Sequence, residues 1–233
     1  MARLIWDDPS ERYYETGISR GVLFVKNSDG TYNGGVAWNG LISVSEQHTD
    51  EGSFSAYVDG GQYVDIFGNE KIGLTIKTYA YPDEFEKCTW FKEVSQTPVF
   101  LGGQEQSLFT LCYRTNVGDG NGKSNERLYI LYECVVESYD REFNTLSSNP
   151  DLVIYSFNVK THVLPCTNYQ PTSILILDSR QGRLPNVEAF LYGSDVREST
   201  WLSPDDIIEA SGTHYLVDEG EFRITFGGHR ILV

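Results

Sequence analysis

With 233 residues, among them 22 glycines, 15 tyrosines and 12 phenylalanines, the chain has the size of one large domain, and its short apolar runs between turn residues favour a mainly β fold over a helical one. Thirty-three acidic residues against 18 basic ones give a formal charge of −15, which opposes binding to a phosphate backbone or an anionic membrane. No apolar stretch has the length of a signal peptide or a membrane span, so we expect a soluble protein with no membrane partner.

The N-terminal third of the chain predicts an arm followed by strands. Residues 1–16 carry Trp6, Tyr13 and Tyr14 without helical or strand periodicity, and we expect them to form an arm that lies on its own sandwich or on a neighbouring subunit. A strand is predicted at residues 21–26. Within residues 34–46 the pair Asn39-Gly40 either kinks the strand or reverses it.

The next two segments are predicted to lie at the protein surface rather than in the hydrophobic core. Residues 46–55 are polar and poor in β-branched side chains, which predicts a long exposed loop. Residues 57–66 predict a hairpin around the turn Asp59-Gly60-Gly61, with Tyr57 and Tyr63 available for cross-strand packing.

The clearest strand signal lies at residues 72–81. Ile72, Leu74 and Ile76 alternate with polar residues, which predicts one buried and one exposed face. Pro82 cannot donate to a β-ladder, so we expect the strand to end near Tyr81. Residues 84–103 predict an irregular loop pinned by its aromatic side chains.

The second half of the chain predicts further strands, one helix and a terminal hairpin. Leu184, Val187 and Leu191 share one helical face, with Gly193 beyond the end, which predicts one short α-helix at about residues 185–192. Ser203 begins a second helical segment of a single turn. Strands are predicted at 107–115, 127–136, 151–163 and, as a buried strand, 174–177. Residues 213–233 predict a C-terminal β-hairpin extension beyond a domain of residues 1–212.

Residue types that carry chemistry are scattered. The four cysteines, Cys88, Cys112, Cys134 and Cys166, have no metal-ligand spacing, and Cys112 and Cys134 are predicted to be buried free thiols. The four histidines form no ligand pair, and the glycine-rich loop at 118–122 lacks the lysine and helix of a phosphate site. No catalytic residue, metal or cofactor is predicted.

Three segments resemble the major tail proteins, the tail tube subunits of long-tailed, non-contractile bacteriophages, and they occur in the order expected for that family. Thr75–Phe85 reads TIKTYAYPDEF and Gly35–Glu46 reads GVAWNGLISVSE. The third segment begins at Pro171-Thr172-Ser173 and ends at Gly193. The resemblance implies a tail-tube-like β-sandwich or barrel with long loop and hairpin extensions.

This resemblance also implies a structural rather than an enzymatic role. Subunits of that family form six-fold or pseudo-six-fold rings, which stack into the conduit for DNA ejection. The implied partners are further copies of the chain and the tail initiator, terminator and tape measure proteins, and DNA passes through the lumen without specific binding. The implied location is the virion tail, assembled in the host cytoplasm. The negative charge predicts either an acidic inner wall of the tube or a surface that simply keeps the subunit soluble.

In that family the loop and hairpin after the second segment make contacts between stacked rings. The corresponding candidate contact residues are Glu46, Gln47, His48, Thr49, Asp50, Glu51, Tyr57 and Tyr63. Two other functions stay open. One is a β-sandwich carbohydrate-binding module or adhesin that uses its aromatic residues as sugar platforms. The other is a hydrolase that uses the carboxylates Asp83 and Glu84 after Pro82.

Overall fold

The chain is described by a computed structural model and is mainly β, as the sequence predicts. The described residues are 12–50, 54–66, 70–94, 97–119, 122, 124–143, 145, 152–181, 184–211, 216–218, 221–226 and 229–232. The strands are β1 Tyr13–Val25, β2 Val36–Trp38, β3 Leu41–Asp50, β4 Phe54–Val58, β5 Gly61–Ile66, β6 Glu70–Thr78, β7 Lys92–Glu93, β8 Phe100–Leu101, β9 Phe109–Asp119, β10 Ser124–Asp140, β11 Tyr155–Lys160, β12 Ile174–Asp178, β13 Leu216–Asp218, β14 Glu221–Phe226 and β15 His229–Leu232. The helices are α1 Leu184–Leu191 and α2 Pro204–Ser211.

Two antiparallel sheets share the long strand β10. The strand order is β2-β1-β9-β10-β11-β6-β3, and β12 also pairs with β10. The N-terminal part of β10 pairs with β9 and β12, and its C-terminal part pairs with β11. A bulge between Leu131 and Cys134, with Glu133 at φ 46°, separates the two parts. Because a bulge bends a strand, β10 passes from one sheet into the other.

The main core lies between the two sheets. Alternate residues of β6 and β11, such as Ile76 and Phe157, face residues of β1 and β9, such as Leu23 and Leu111. A 3₁₀ helix at Asp83–Cys88 inserts Phe85 among the aromatic rings of Trp38, Phe109, Phe157 and Tyr81. The buried face predicted for residues 72–76 is therefore confirmed.

The first sheet consists of β2, β1, β9, β12 and the N-terminal part of β10, and the second sheet consists of the C-terminal part of β10, β11, β6 and β3. The two helices cover the outer face of the first sheet. Val187 and Leu191 of α1 and Ile207 and Ala210 of α2 belong to a second cluster with β-strand residues such as Phe24. The bounds of α1 confirm the predicted helix. The prediction that the segment after Ser203 makes only one turn was wrong, because α2 has eight residues.

The length of α2 has a local cause. The amide of Asp206 donates to the Ser203 hydroxyl, and the Asp206 carboxylate accepts from the Ser203 amide at 2.9 Å. This reciprocal capping stabilises the first turn, and burial of Ile207 and Ala210 stabilises the second.

At its N-terminal end the chain differs from the sequence prediction. Tyr13 and Tyr14 belong to β1 and pair with Asp119 and Gly118 of β9, so residues 13–16 are not part of an arm. Pairing with β9 supplies the backbone partners that periodicity alone did not reveal. Residues 1–11 of the predicted arm lie outside the described residues.

The Asn39-Gly40 pair moves the chain from one sheet to the other. β2 pairs with β1, whereas β3 pairs with β6. Gly40 has φ +83°, and a Cβ there would lie 2.9 Å from the amide nitrogen of Ala80. The backbone carbonyl of Gly40 accepts from the amide of Tyr79, which ends the β6 pairing at Thr78, three residues before the predicted end.

Two further strand predictions changed in detail. β12 is an edge strand with Ile176 half exposed, so the prediction of a buried strand at 174–177 was wrong. A strand that pairs on one side only keeps part of its apolar surface in solvent. At the C-terminus, β13, β14 and β15 form a three-stranded antiparallel sheet, which adds one strand to the predicted hairpin. The division into a domain and an extension stays a prediction.

Candidate assembly surfaces

The segment predicted as an exposed loop is largely a strand. β3 pairs with β6 along its whole length, from Leu41 opposite Thr78 to Asp50 opposite Glu70. The prediction that residues 46–55 form a loop was therefore wrong for 46–50 and for 54–55, which belong to β3 and β4, and residues 51–53 lie outside the described residues. The polar sequence is compatible with a strand because one face of β3 is open to solvent and β6 provides the ladder partners.

Glu46 lies on the inward face of β3. The Tyr113 hydroxyl donates a 2.5 Å hydrogen bond to the Glu46 carboxylate, and Nε2 of His48 lies 3.5 Å from its other oxygen. Burial and the neighbouring Glu46 raise the pKa of Tyr113. Glu46 therefore connects β3 with β9 inside the subunit. Gln47 lies on the opposite face and is exposed.

The other predicted contact residues lie at or beyond the end of this strand. Thr49 and Asp50 continue the backbone ladder to Lys71 and Glu70, and Glu51 lies outside the described residues. Beyond them, β4 and β5 form the predicted hairpin. Its turn residues, Asp59 at φ 51° and Gly60 at φ 79°, have the positive φ values that a two-residue hairpin turn requires.

The hairpin exposes a group of apolar side chains that we call the tip patch, formed by Tyr57, Val58, Tyr63 and Val64. The exposed fractions of Tyr57 and Tyr63 are 66% and 76%. Gln62 lies opposite Tyr57, and the register shifts next to Tyr63. The two tyrosines are therefore not a directly opposed pair, and each offers its ring to solvent.

A second apolar surface was missed by the sequence analysis. β7 and β8 form a short hairpin whose side chains, 36% to 51% exposed, we call the β7–β8 patch: Val94, Val99, Phe100 and Leu101. Phe100 was expected to pin a loop and is half exposed instead. The composition of residues 94–101 contained the apolar signal, but a short hairpin with a proline gives no clear period.

Basic residues lie beside the β7–β8 patch. A groove of about 900 Å³ is lined by Lys26, Lys87 and Lys92, together with Glu93 and Glu105. Lys26 pairs with Glu133 at 2.5 Å. Within the described part of the chain, Lys87 and Lys92 make no ion pair, so two lysine charges face solvent in an otherwise acidic protein.

The carboxylates after Pro82 have a structural arrangement. Asp83 and Glu84 are exposed, whereas Glu86 accepts hydrogen bonds from the hydroxyls of Tyr81 and Thr89. Burial and Glu86 raise the pKa of Tyr81. These contacts hold the 3₁₀ helix against the sheet and do not form a pair of carboxylates around a cleft.

The described residues contain no group of three or more histidine, cysteine, aspartate or glutamate side chains that could hold a metal ion. All four cysteines are free thiols, and the predicted burial of Cys112 and Cys134 is confirmed. A helix long and apolar enough to cross a membrane is not found in the part of the chain described.

The sequence matches no protein-family model and no curated protein. Solved structures with partial similarity include the sheath–tube complex of an extracellular contractile injection system in its extended state, with 12% identity, a TM-score of 0.33 and coverage of 68% of this chain and 88% of that one. The cap that terminates the tube of the anti-feeding prophage has 8% identity and a TM-score of 0.36, and the match covers 68% of this chain and 88% of that one. The sheath/tube terminator of the injection system has 9% identity and a TM-score of 0.34, and the match covers 70% of this chain and 97% of that one.

Proposed function

We propose that the chain is a structural subunit that assembles with itself into stacked rings, forming a tail tube that conducts DNA. The observation that carries the proposal is the β3–β6 ribbon, which leads into a hairpin whose apolar tip patch is exposed among the residues that the structure describes. Contiguous exposed apolar surface on a soluble protein marks an interaction site. The three sequence segments that resemble major tail proteins indicate which interaction this is.

Unpaired strand edges support the same proposal. β3 has ten residues and lies at the end of the strand order, so in the described structure it pairs on one side only, with β6. Exposed edges of this length are sites for pairing with another chain. In a ring, the sheet of one subunit continues that of its neighbour and removes this edge.

The outer face of the second sheet is suited to line a channel. Thr75 donates to Asn158, and Asn158 donates to Ser138, forming a row of neutral polar side chains. Lys77 and Asp140 are among the charged residues beside the row. Lys160 also lies on this face and is 3.8 Å from Glu137, so among the described residues its lysines are accompanied by carboxylates and do not form the unpaired cation cluster that would hold phosphate through counterion release. We therefore propose passage of DNA without specific binding, on a less acidic wall than the overall charge predicts.

The remaining parts of the proposal follow from assembly into a tail. The initiator, the terminator and the tape measure protein are the proposed partners at the ends and inside the tube. The proposed location is the virion tail, after assembly in the host cytoplasm. No cofactor and no catalytic step is required for this role.

A carbohydrate-binding module or adhesin is the second candidate, since Tyr57 and Tyr63 are exposed aromatic rings. Sugar sites combine such rings with converging hydrogen-bonding groups. In the tip patch the neighbours are Val58 and Val64, which favour contact with another protein surface over contact with a sugar.

The experiment follows self-assembly of the purified chain over a concentration series by negative-stain microscopy and sedimentation velocity. Tails isolated from particles are examined alongside it. We expect rings or tubes from the wild type, and their loss in the double variant Tyr57→Ser/Tyr63→Ser with little change in melting temperature. Tyr169→Ser, whose tyrosine is 67% exposed outside the patch, is the matched control and should assemble. A wild-type chain that stays monomeric at every concentration, and is absent from the tube of particles, would contradict the proposal.

A further inference from the structure

The two exposed apolar surfaces lie at opposite ends of one strand. The tip patch belongs to the hairpin joined to the Glu70 end of β6, where Asp50 of β3 pairs with Glu70. The chain leaves β6 at Thr78 and continues through the 3₁₀ helix to β7 and β8. Nine residues in extended conformation span roughly 26 Å. The two patches therefore lie on hairpins that are connected along the chain to opposite ends of β6.

Two unlike patches on one chain favour a head-to-tail contact. In a two-fold dimer the same patch meets itself, whereas a heterologous contact joins different patches and repeats from copy to copy. Such a contact leaves one patch of each type free at the two ends of every assembly, so the assembly grows along one axis.

The charges beside the patches are complementary. Asp59 occupies the turn of the β4–β5 hairpin, between the strands that carry the tip patch. Lys87 and Lys92 line the groove beside the β7–β8 patch together with Glu93 and Glu105, and neither lysine makes an ion pair among the described residues. A chain of charge −15 repels a second copy over most of its surface, whereas the ammonium groups of Lys87 and Lys92 attract a carboxylate such as that of Asp59.

We propose that the β4–β5 hairpin of one copy docks on the β7–β8 patch of the next, with Asp59 directed towards Lys87 and Lys92. The tip patch covers Val94, Val99, Phe100 and Leu101, and the ion contacts fix the orientation. The inference rests on the proposed self-assembly and names the two surfaces that meet. It places the contact between successive rings.

The test uses cysteine cross-linking between two variants of the full chain in a Cys166→Ser background, which removes the least buried native thiol. Val58→Cys labels the tip patch and Val99→Cys labels the β7–β8 patch. Val196→Cys is the control, because Val196 is 96% exposed and lies in neither patch. Circular dichroism and melting curves of each variant establish that it is folded before the variants are mixed under assembly conditions and oxidised.

We expect the Val58→Cys and Val99→Cys variants to cross-link at least about tenfold faster with each other than either does with Val196→Cys, because docking raises the effective concentration of the two thiols. Cross-links mainly between two Val58→Cys chains would indicate a tip-to-tip dimer and would overturn the proposal. Equal rates for all pairs, with wild-type tubes present, would overturn this pairing while leaving the tube function intact. A wild type that forms no tubes removes the proposed function and this inference together.

A charge exchange gives a second, independent measurement. Asp59→Lys places a lysine opposite Lys87 and Lys92, and Lys87→Glu/Lys92→Glu places glutamates opposite Asp59. Each variant should shift the onset of assembly to higher concentration, and combining all three substitutions should reverse most of that shift. Failure of the combined variant to recover assembly, with each chain folded, contradicts the ion contacts.

Discussion

The hydroxyl of Tyr113, in the middle of β9, donates a 2.5 Å hydrogen bond to the carboxylate of Glu46 on β3. The two strands belong to different sheets, so this bond crosses the sandwich. Glu46 was a candidate for contact between rings, and its hydrogen bond gives it a role inside the subunit.

Replacing Tyr113 by phenylalanine should lower the free energy of unfolding by about 1–2 kcal/mol, because the hydrogen bond from its hydroxyl to the Glu46 carboxylate is lost. Urea denaturation of the purified subunit measures this change. Gln47→Ala, at the neighbouring exposed position, should stay within about 0.5 kcal/mol of the wild type. Equal stability of Tyr113→Phe and the wild type would free Glu46 for contact with another chain.

Glu133 is the anchor of the bulge in β10. It is 5% exposed, adopts φ 46°, pairs with Lys26 at 2.5 Å and accepts a 2.6 Å hydrogen bond from Tyr32. Glu133→Gln should destabilise the subunit by about 1–3 kcal/mol, because the Lys26 ammonium loses its charged partner. Glu137→Gln, on the same strand but exposed, is the control. A melting temperature unchanged by Glu133→Gln would show that the ion pair contributes nothing to stability.

Stability should fall in acid through Asp178. Hydrogen bonds from Arg180 and Arg127 hold the pKa of Asp178 well below its ordinary value of 3.8, although partial burial opposes them. A carboxyl group whose pKa is lower in the folded state stabilises that state at pH values above the unfolded pKa. This contribution is complete at neutral pH and declines as the pH falls below about 4 towards the folded pKa.

The measurement for Asp178 is the urea midpoint as a function of pH. Asp178→Asn should be less stable than the wild type at pH 7, and the difference should shrink as the pH falls from about 4. A difference that stays constant down to pH 2 would mean that the charge of Asp178 does not stabilise the fold.

The four thiols should differ in reactivity. Burial raises the pKa of Cys88, Cys112 and Cys134, so at neutral pH these groups are both protonated and inaccessible. Cys166 is only partly buried, and its thiol lies 3.5 Å from the Asp205 carboxylate, which together with desolvation raises its pKa. A thiol reagent should modify one cysteine of the native protein and the other three only after unfolding. Cys166→Ser should abolish the native reaction, and rapid modification of more than one thiol would contradict the described core.

Local sequence patterns predicted those parts of the fold that depend on neighbours along the chain. The alternation at Ile72, Leu74 and Ile76, the turn at Asp59-Gly60 and the apolar face of α1 all arise within about ten residues. The end of β3 was missed because its backbone partners come from β6, twenty or more residues later. A polar stretch with few β-branched residues is read as a loop unless that partner is known.

The candidate surfaces were predicted only in part, because exposure is decided by distant contacts. Tyr57 and Tyr63 were correctly placed on a hairpin, whereas Val94 and Val99 gave no sign that they would remain uncovered. Sequence also could not show that Glu46 points inward, since the direction of a side chain depends on the register with β6.

The bend in β10 has a consequence for how the subunit loses its structure. One strand supplies hydrogen bonds to β9 and β12 on one side of the bulge and to β11 on the other, so neither sheet can open around β10 without weakening the other. The sandwich should therefore unfold as a single cooperative unit, and the amide protons of residues 128–136 should exchange with solvent last. A tube that carries mechanical load at its subunit contacts would then yield at those contacts before its subunits come apart.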